Sequence, residues 1–367
     1  MKASPDVRQS QHLMMSRNAN PLNPTSPAKH TNRPPRSRAK ASIRTRKHPE
    51  TRIFQNRPPY RFLKLKEPRQ IFDEVSFAET HRWGDDRIKT YLEIDRVGGK
   101  RLAAAICAEL ETSRIRRFAP ADLLYANNVE SRIDVLAITL DHALRQILVD
   151  KTTPAFFVTM TPDRFGTTFE DAASFDVRRI QAWVRQMLPG FDFLGIVEPA
   201  FFPRGRNQTE RGAMISWHVH LLIWGTAYGR LNRVLRRIRR TELSFVAGTP
   251  STDCRTLKTR RVLAGKITYM LKSPQKQYRV LRDPRKPVVD LATGEIVAKP
   301  NVMKNWLQTG QRVLMCRVLA GRYVDELLFG QGGGTMLRRA IVAEALRQFE
   351  ADKRTVDRRS VRRLPTN

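Results

Sequence analysis

Apolar and polar positions change their period several times along this chain. Between residues 154 and 275 the runs "PAFFVTMTP", "FDFLGIVEP" and "AMISWHVHLLIWG" are short and dense in branched and aromatic residues, which predicts strands over 154–162, 191–199 and 213–225. The last two are joined by a basic, glycine-containing loop and read as an antiparallel pair. Between the first two, "DAASFDVRRIQAWVRQML" repeats its apolar positions with the period of a helix, which predicts an amphipathic helix over 171–188 stopped by Pro189 and Gly190. A basic helix follows over 228–240, then a further strand within 251–260, then a short helix, "RVLAGKITYMLKS" (261–273), ended by Pro274. The order strand, helix, hairpin, helix, strand, helix predicts an α+β fold with a central antiparallel sheet and flanking helices.

The flanking stretches have other rhythms. "GGKRLAAAICAELETSRIRRF" and "ESRIDVLAITLDHALRQILVD" both repeat at helical spacing, so 71–150 reads as a helical region. Residues 276–367 predict a hairpin around "DLATG", two helices and a basic tail. Residues 1–70 are rich in Pro, Ser, Asn, Arg and Lys without apolar periodicity. Such a stretch cannot bury enough surface to offset its ordering entropy, which predicts a disordered basic arm, either a tether for nucleic acid or a solvated tail. The resulting division is 1–70, 71–150, 151–275 and 276–367, with no internal repeat.

Composition sharpens the choice of partner. The chain carries 67 Lys and Arg against 35 Asp and Glu, a formal net charge of +32. Such a field attracts polyanions, because Lys and Arg that neutralise phosphates release bound counterions. No segment stays apolar for the roughly 18 residues that a spanning helix needs, so no membrane partner is expected. The N-terminus has no apolar core of a secretion signal, and Cys107, Cys254 and Cys316 form no CxxC pair. Both features predict free thiols and a cytoplasmic location.

Three features carry candidate chemistry. In the strand "WHVHLLIW", His218 and His220 are two apart and therefore share a face, about 7 Å apart along the chain and able to converge on one cation. Glu198 ends the apolar run "FLGIVE" on the strand expected to pair with them. It either points into solvent or completes a mixed oxygen–nitrogen site with open positions for substrate. On the "GKITYMLK" helix, Lys266, Tyr269 and Lys272 succeed one another at three-residue steps. They read either as an aromatic packed beside solvated lysines or as a phenol flanked by ammonium groups that favour its nucleophilic form. Arg204, Arg206 and Arg211, in the long loop before the histidines, suit phosphate contact or a solvated hairpin tip equally. His12, His30 and His48 fall in the arm and His142 on a helix, so none is a ligand candidate.

In that order, "FFVTMTP", "WHVHLLIWG" and "YMLK" resemble the three motifs of the HUH endonucleases, which include rolling-circle replication initiators, relaxases and single-tyrosine transposases. The resemblance covers about 155–275, a third of the chain. It implies a ferredoxin- or RRM-like palm, His218 and His220 as ligands of Mg²⁺ or Mn²⁺, and Glu198 as a third, acidic ligand. It also implies Tyr269 as the nucleophile on a DNA phosphodiester and Lys272 as a charge partner near the phosphate. The distance from Glu198 to His218 is longer than the family pattern. Tyr278 lies beyond Pro274, so one helix cannot present both tyrosines, and the lysine after the tyrosine leans towards initiators. The expected activity is nicking and rejoining of single-stranded or hairpin origin DNA on a plasmid or phage-like element, with a host helicase and polymerase as partners. A transposase or mobilisation protein of the same type, and a noncatalytic basic nucleic-acid-binding protein, are the competing readings.

Overall fold

The computed structural model describes residues 88–92, 100–111, 114–116, 122–147, 154–205 and 212–361. The arm expected over 1–70, Arg206 and Arg211 lie outside the described residues. All of the described residues belong to one compact unit, 59–367. Residues 88–92 are helical, and after them come helix α1 (Lys100–Glu111), a short hairpin of β1 (Arg114–Arg116) and β2 (Asp122–Leu124) that interrupts the helical region expected over 71–150, and helix α2 (Val129–Gln146). Asn128 caps α2 by accepting a hydrogen bond from the Ser131 amide, satisfying one of the free N–H groups of its first turn.

The central region follows as β3 (Ala155–Met160), β4 (Gly166–Thr168), α3 (Val177–Met187), β5 (Asp192–Phe202), β6 (Met214–Trp224), α4 (Tyr228–Thr241), β7 (Thr252–Leu257) and α5 (Arg260–Leu271). The expected helix over 171–188 starts later than its apolar pattern. Asp176 accepts a hydrogen bond from the Arg178 amide and so caps α3, leaving 172–174 as a 3₁₀ turn. The C-terminal part supplies β8 (Lys276–Val289), β9 (Ile296–Trp306), α6 (Thr309–Leu319), α7 (Val324–Leu327), β10 (Leu328–Gln331) and the long α8 (Gly333–Val361).

The main sheet runs β7-β3-β6-β5-β8-β9, with β4 added beside β6 and β10 beside β5. Every pairing is antiparallel except β5 with β8, which is parallel and confined to Phe201 opposite Gln277. The expectation of an antiparallel sheet thus holds with one departure. Strand β8 reaches β5 after the chain has passed through α4, β7 and α5, and a connection of that length sets direction freely where a tight turn cannot. The fold is α+β with a mixed sheet and flanking helices.

Strands β5 and β6 are buried along nearly their whole length, which is why their sequences read as continuous apolar runs. On one face Trp217 stacks on Phe175, with ring centroids 5.0 Å apart, beneath α3. The other face carries the histidines and α5. Residues from 124–147 and from 307–345 share the same core as the central strands. Gly195 on β5 admits this packing, because a Cβ there would run into Leu221 and the Phe329 ring of β10. Among the described residues no helix is long and apolar enough to cross a membrane.

Candidate functional site

The β5–β6 hairpin pairs eleven residues without a slip, from Asp192 opposite Trp224 to Phe202 opposite Met214. That register sets Glu198 directly across from His218, so both side chains leave the same face of the sheet, joined by His220 two residues on. The long loop does not disturb this, since the strands and not their connection set the register. All three side chains are buried. Their ligand atoms converge within 4.8 Å of one another. His218 Nε2 lies 3.2 Å from His220 Nε2, and Glu198 Oε2 lies 3.2 Å from His220 Nε2 and 3.8 Å from His218 Nε2.

The surroundings decide what these atoms can do. His218 Nδ1 faces the Ser216 carbonyl at 3.3 Å; a carbonyl only accepts, so Nδ1 carries the proton and Nε2 of the neutral ring is a lone pair. His220 Nδ1 lies 3.0 Å from Thr159 Oγ1, on the strand that pairs with it in register. With Nδ1–H donating to that hydroxyl, His220 Nε2 is a second lone pair. Burial and the neighbouring His220 push the His218 imidazole down to about 4 despite Glu198, and burial lowers His220 as well. Both rings therefore stand neutral at pH 7.

Burial also works against ionisation of Glu198, but the Lys272 ammonium foremost holds the carboxyl well below the usual range. Lys272 Nζ donates to Glu198 Oε1 at 2.8 Å, while the buried Oε2 has no hydrogen-bond partner. One charged oxygen and two lone pairs thus point at a common centre, and no donor satisfies all three. Ligand bonds of about 2.0–2.2 Å would place neighbouring donors roughly 3–3.5 Å apart, close to the separations found. The donor set fits a divalent cation. The group could bind a metal ion, with Glu198, His218 and His220 as its protein ligands.

Tyr269 comes to this centre from α5. Thr259 caps the start of that helix by accepting from the Val262 amide. Its other end is held by buried Arg132 of α2, whose Nη1 donates to the Leu271 and Lys272 carbonyls, each at 3.1 Å. The Tyr269 ring stands 5.1 Å from His220 and 5.9 Å from Phe157, edge-on to both. Two ammonium groups lie over it, Lys272 Nζ at 4.3 Å and Lys266 Nζ at 5.4 Å from the ring centroid. Burial and the Glu198 charge, partly offset by Arg255, push the phenol up to about 12, so it rests neutral.

His218, His220, Tyr269 and Lys266 open into a cavity of about 350 Å³. Lys272 does not line it; its ammonium is taken up by Glu198 behind the histidines. Arg204 is exposed in the turn after β5 and is not part of the lining. Three contributors have no signal in the linear pattern. Tyr278 reaches the cavity from β8, stacked on Phe202 at 5.3 Å, and Lys304 enters from β9 opposite it. One helix does not present both tyrosines, as expected, yet a strand brings the second phenol to the same space. Arg132 reads as an ordinary polar position of a helix, and only tertiary packing shows it gripping the end of α5.

Comparison with protein-family models, with curated proteins and with solved structures finds no match to this chain.

Proposed function

We propose that the chain is a metal-dependent DNA strand transferase with a tyrosine nucleophile, an HUH-type replication initiator that nicks and rejoins single-stranded DNA. The observation that supports this reading is the convergence of Glu198, His218 and His220, with both histidines and Tyr269 lining one cavity, on a chain of net charge +32. Mg²⁺ or Mn²⁺ suits a mixed carboxylate–imidazole set with open positions, and supplies Lewis-acid polarisation of the scissile phosphate when bound.

The residues divide the remaining work. Glu198 and the two imidazoles hold the cation, and Ser216 and Thr159 fix the ring orientations. Lys272 keeps Glu198 ionised and aimed. Tyr269 Oη attacks phosphorus: the Tyr–O–P bond forms, the P–O3′ bond breaks, and the phenolic proton is balanced by the one gained on the released 3′-hydroxyl. The ammonium groups of Lys266 and Lys272 above the ring favour the developing phenolate. Because the product is a phosphodiester to tyrosine, the reverse attack by a 3′-hydroxyl rejoins the strand without a nucleotide cofactor.

The test uses the purified protein, Mn²⁺ and single-stranded oligonucleotides tiling the DNA around its own gene, with adducts resolved on denaturing gels. The expected result is a protein–5′-phosphate adduct that vanishes in Tyr269→Phe and in His218→Ala. An adduct formed equally well by Tyr269→Phe would refute the assignment. Binding that is steeply salt dependent but indifferent to metal and to His218→Ala, with no adduct, would indicate a noncatalytic nucleic-acid-binding protein instead.

A further inference from the structure

The hairpin of β8 and β9 lines the cavity at its base through Tyr278, Val302 and Lys304, and its turn end lies outside that lining. Six of the eleven exposed large hydrophobic side chains among the described residues belong to it, including Val289, Leu291 and Ile296 around its turn, which are 57%, 56% and 76% exposed. Apolar side chains this exposed on a single element mark an interaction surface. They are flanked by the exposed Arg285, Lys286 and Lys299, of which Arg285 and Lys286 also pair with Asp283 across solvent-exposed contacts of 3.3 and 3.7 Å.

The turn is built rigidly. Asp290 accepts from the Ala292 and Thr293 amides and, through its other oxygen, from the Gly248 amide at 2.8 Å. Arg282 donates to the Ala247 and Ala298 carbonyls. The turn is therefore fixed in shape against the 247–248 loop, and Val289, Leu291 and Ile296 are the side chains it leaves exposed.

What the tip meets follows from its edge chemistry. Strand β9 is the outer strand of the sheet, open to pairing with another chain, yet it carries Pro300, Lys299 and Lys304. Its partner β8 breaks register between Asp283 and Pro287. Prolines, lysines and an irregularity are the features that prevent strand addition, which argues against a protein partner zipped onto this edge. The exposed basic residues instead complement a polyanion. A two-stranded ribbon fits the major groove of B-form DNA, whereas the deep, narrow groove of an A-form helix excludes it.

We propose that the turn end of the β8–β9 hairpin, residues 281–300, forms a second nucleic-acid-binding element, a β-ribbon that docks on double-helical DNA. Arg285, Lys286 and Lys299 contact phosphates, and Val289, Leu291 and Ile296 lie against the base edges. The ribbon gives the molecule a duplex-binding surface separate from the single-strand cavity, and it needs neither metal nor Tyr269. Its success or failure is thus independent of the nicking reading.

The test measures fluorescence anisotropy of the full-length protein, with chelator present, on a random duplex of about 20 base pairs and on one of its single strands, across a KCl series. The triple variant Arg285→Glu, Lys286→Glu, Lys299→Glu is expected to lose at least about tenfold in duplex affinity. Its slope of log affinity against log salt should become shallower by about 2–3, at roughly 0.9 per lost phosphate contact. Its single-strand affinity should change by less than about threefold. The pair Leu291→Ser, Ile296→Ser is expected to lose about three- to tenfold on duplex at unchanged slope, because it removes apolar contact and no charge. Duplex affinity within about twofold of wild type in either variant overturns the proposal, as does an equal loss on single strand and duplex. A wild-type dimer that the tip variant converts to monomer also overturns it, by showing that a second copy covers the tip.

Discussion

Glu198 serves two cations with its two oxygens: Lys272 holds Oε1, and Oε2 faces the histidine lone pairs. That division makes the pH behaviour predictable. Folding lowers the affinity of His218 for protons from its ordinary value to about 4, and Glu198 is held lower still. Both groups bind more protons in the unfolded chain than in the folded one as the solution is acidified. The His218 contribution to stability is therefore complete above the ordinary histidine range and is lost as pH falls from there to about 4, whereas that of Glu198 persists down to the ordinary carboxylate range and is lost only in stronger acid. Metal affinity depends on the folded-state values alone and should be nearly level from neutral pH to about 5 and drop steeply below, as checked by titration calorimetry with Mn²⁺. An inflection near the ordinary histidine value would contradict the burial argument. Glu198→Gln should cost about 3–5 kcal/mol in denaturant unfolding, because the Lys272 ammonium is left largely buried without its partner. Divalent metal should then no longer raise the melting temperature.

At the level of elements, the site depends on one hairpin and one helix. A slip of a single residue between β5 and β6 would turn Glu198 to the opposite face. Helix α5 is gripped by Arg132, whose donors reach Ala126, Leu271 and Lys272 across a sequence separation of up to 140 residues. Arg132→Met removes these donors and leaves buried carbonyls unsatisfied, at an expected cost of about 2–4 kcal/mol by chemical denaturation. It should also slow adduct formation more than it weakens DNA binding, since the displaced group is Tyr269 and not the basic surface. The HxH spacing and the Tyr–Lys helix were legible because period and propensity are local. The Glu198–Lys272 pair, 74 residues apart in sequence, was not, and neither was the arrival of Tyr278 beside Tyr269. Nothing in a linear pattern says which strand will carry a tyrosine into a cavity built by a helix.

For the whole molecule, a net charge of +32 sets the background against which any specific contact works. Association with a random single strand should fall about a thousandfold between roughly 50 and 200 mM KCl, as for a protein neutralising several phosphates. The loss should be the same in His218→Ala, measured by anisotropy. Adduct formation, by contrast, should vanish in that variant at every salt concentration. The division expected at residues 151 and 275 runs through one continuous core. Helix α2 holds the site helix, and β10, from the last part of the chain, pairs with the strand that carries Glu198.

The sequence by itself determined the order of the main central elements, the α+β class, the strongly basic charge, and the shared face of His218 and His220, because these follow from local period, composition and the alternation of a strand. Tertiary structure alone decided that Glu198 sits opposite His218, that Lys272 serves the carboxylate and stands back from the cavity, and that a buried arginine from the N-terminal helices anchors the tyrosine helix. Those contacts depend on register and packing between segments far apart in the chain. Burial then gives them their strength, since the same charges in water would be screened and their lone pairs satisfied by solvent.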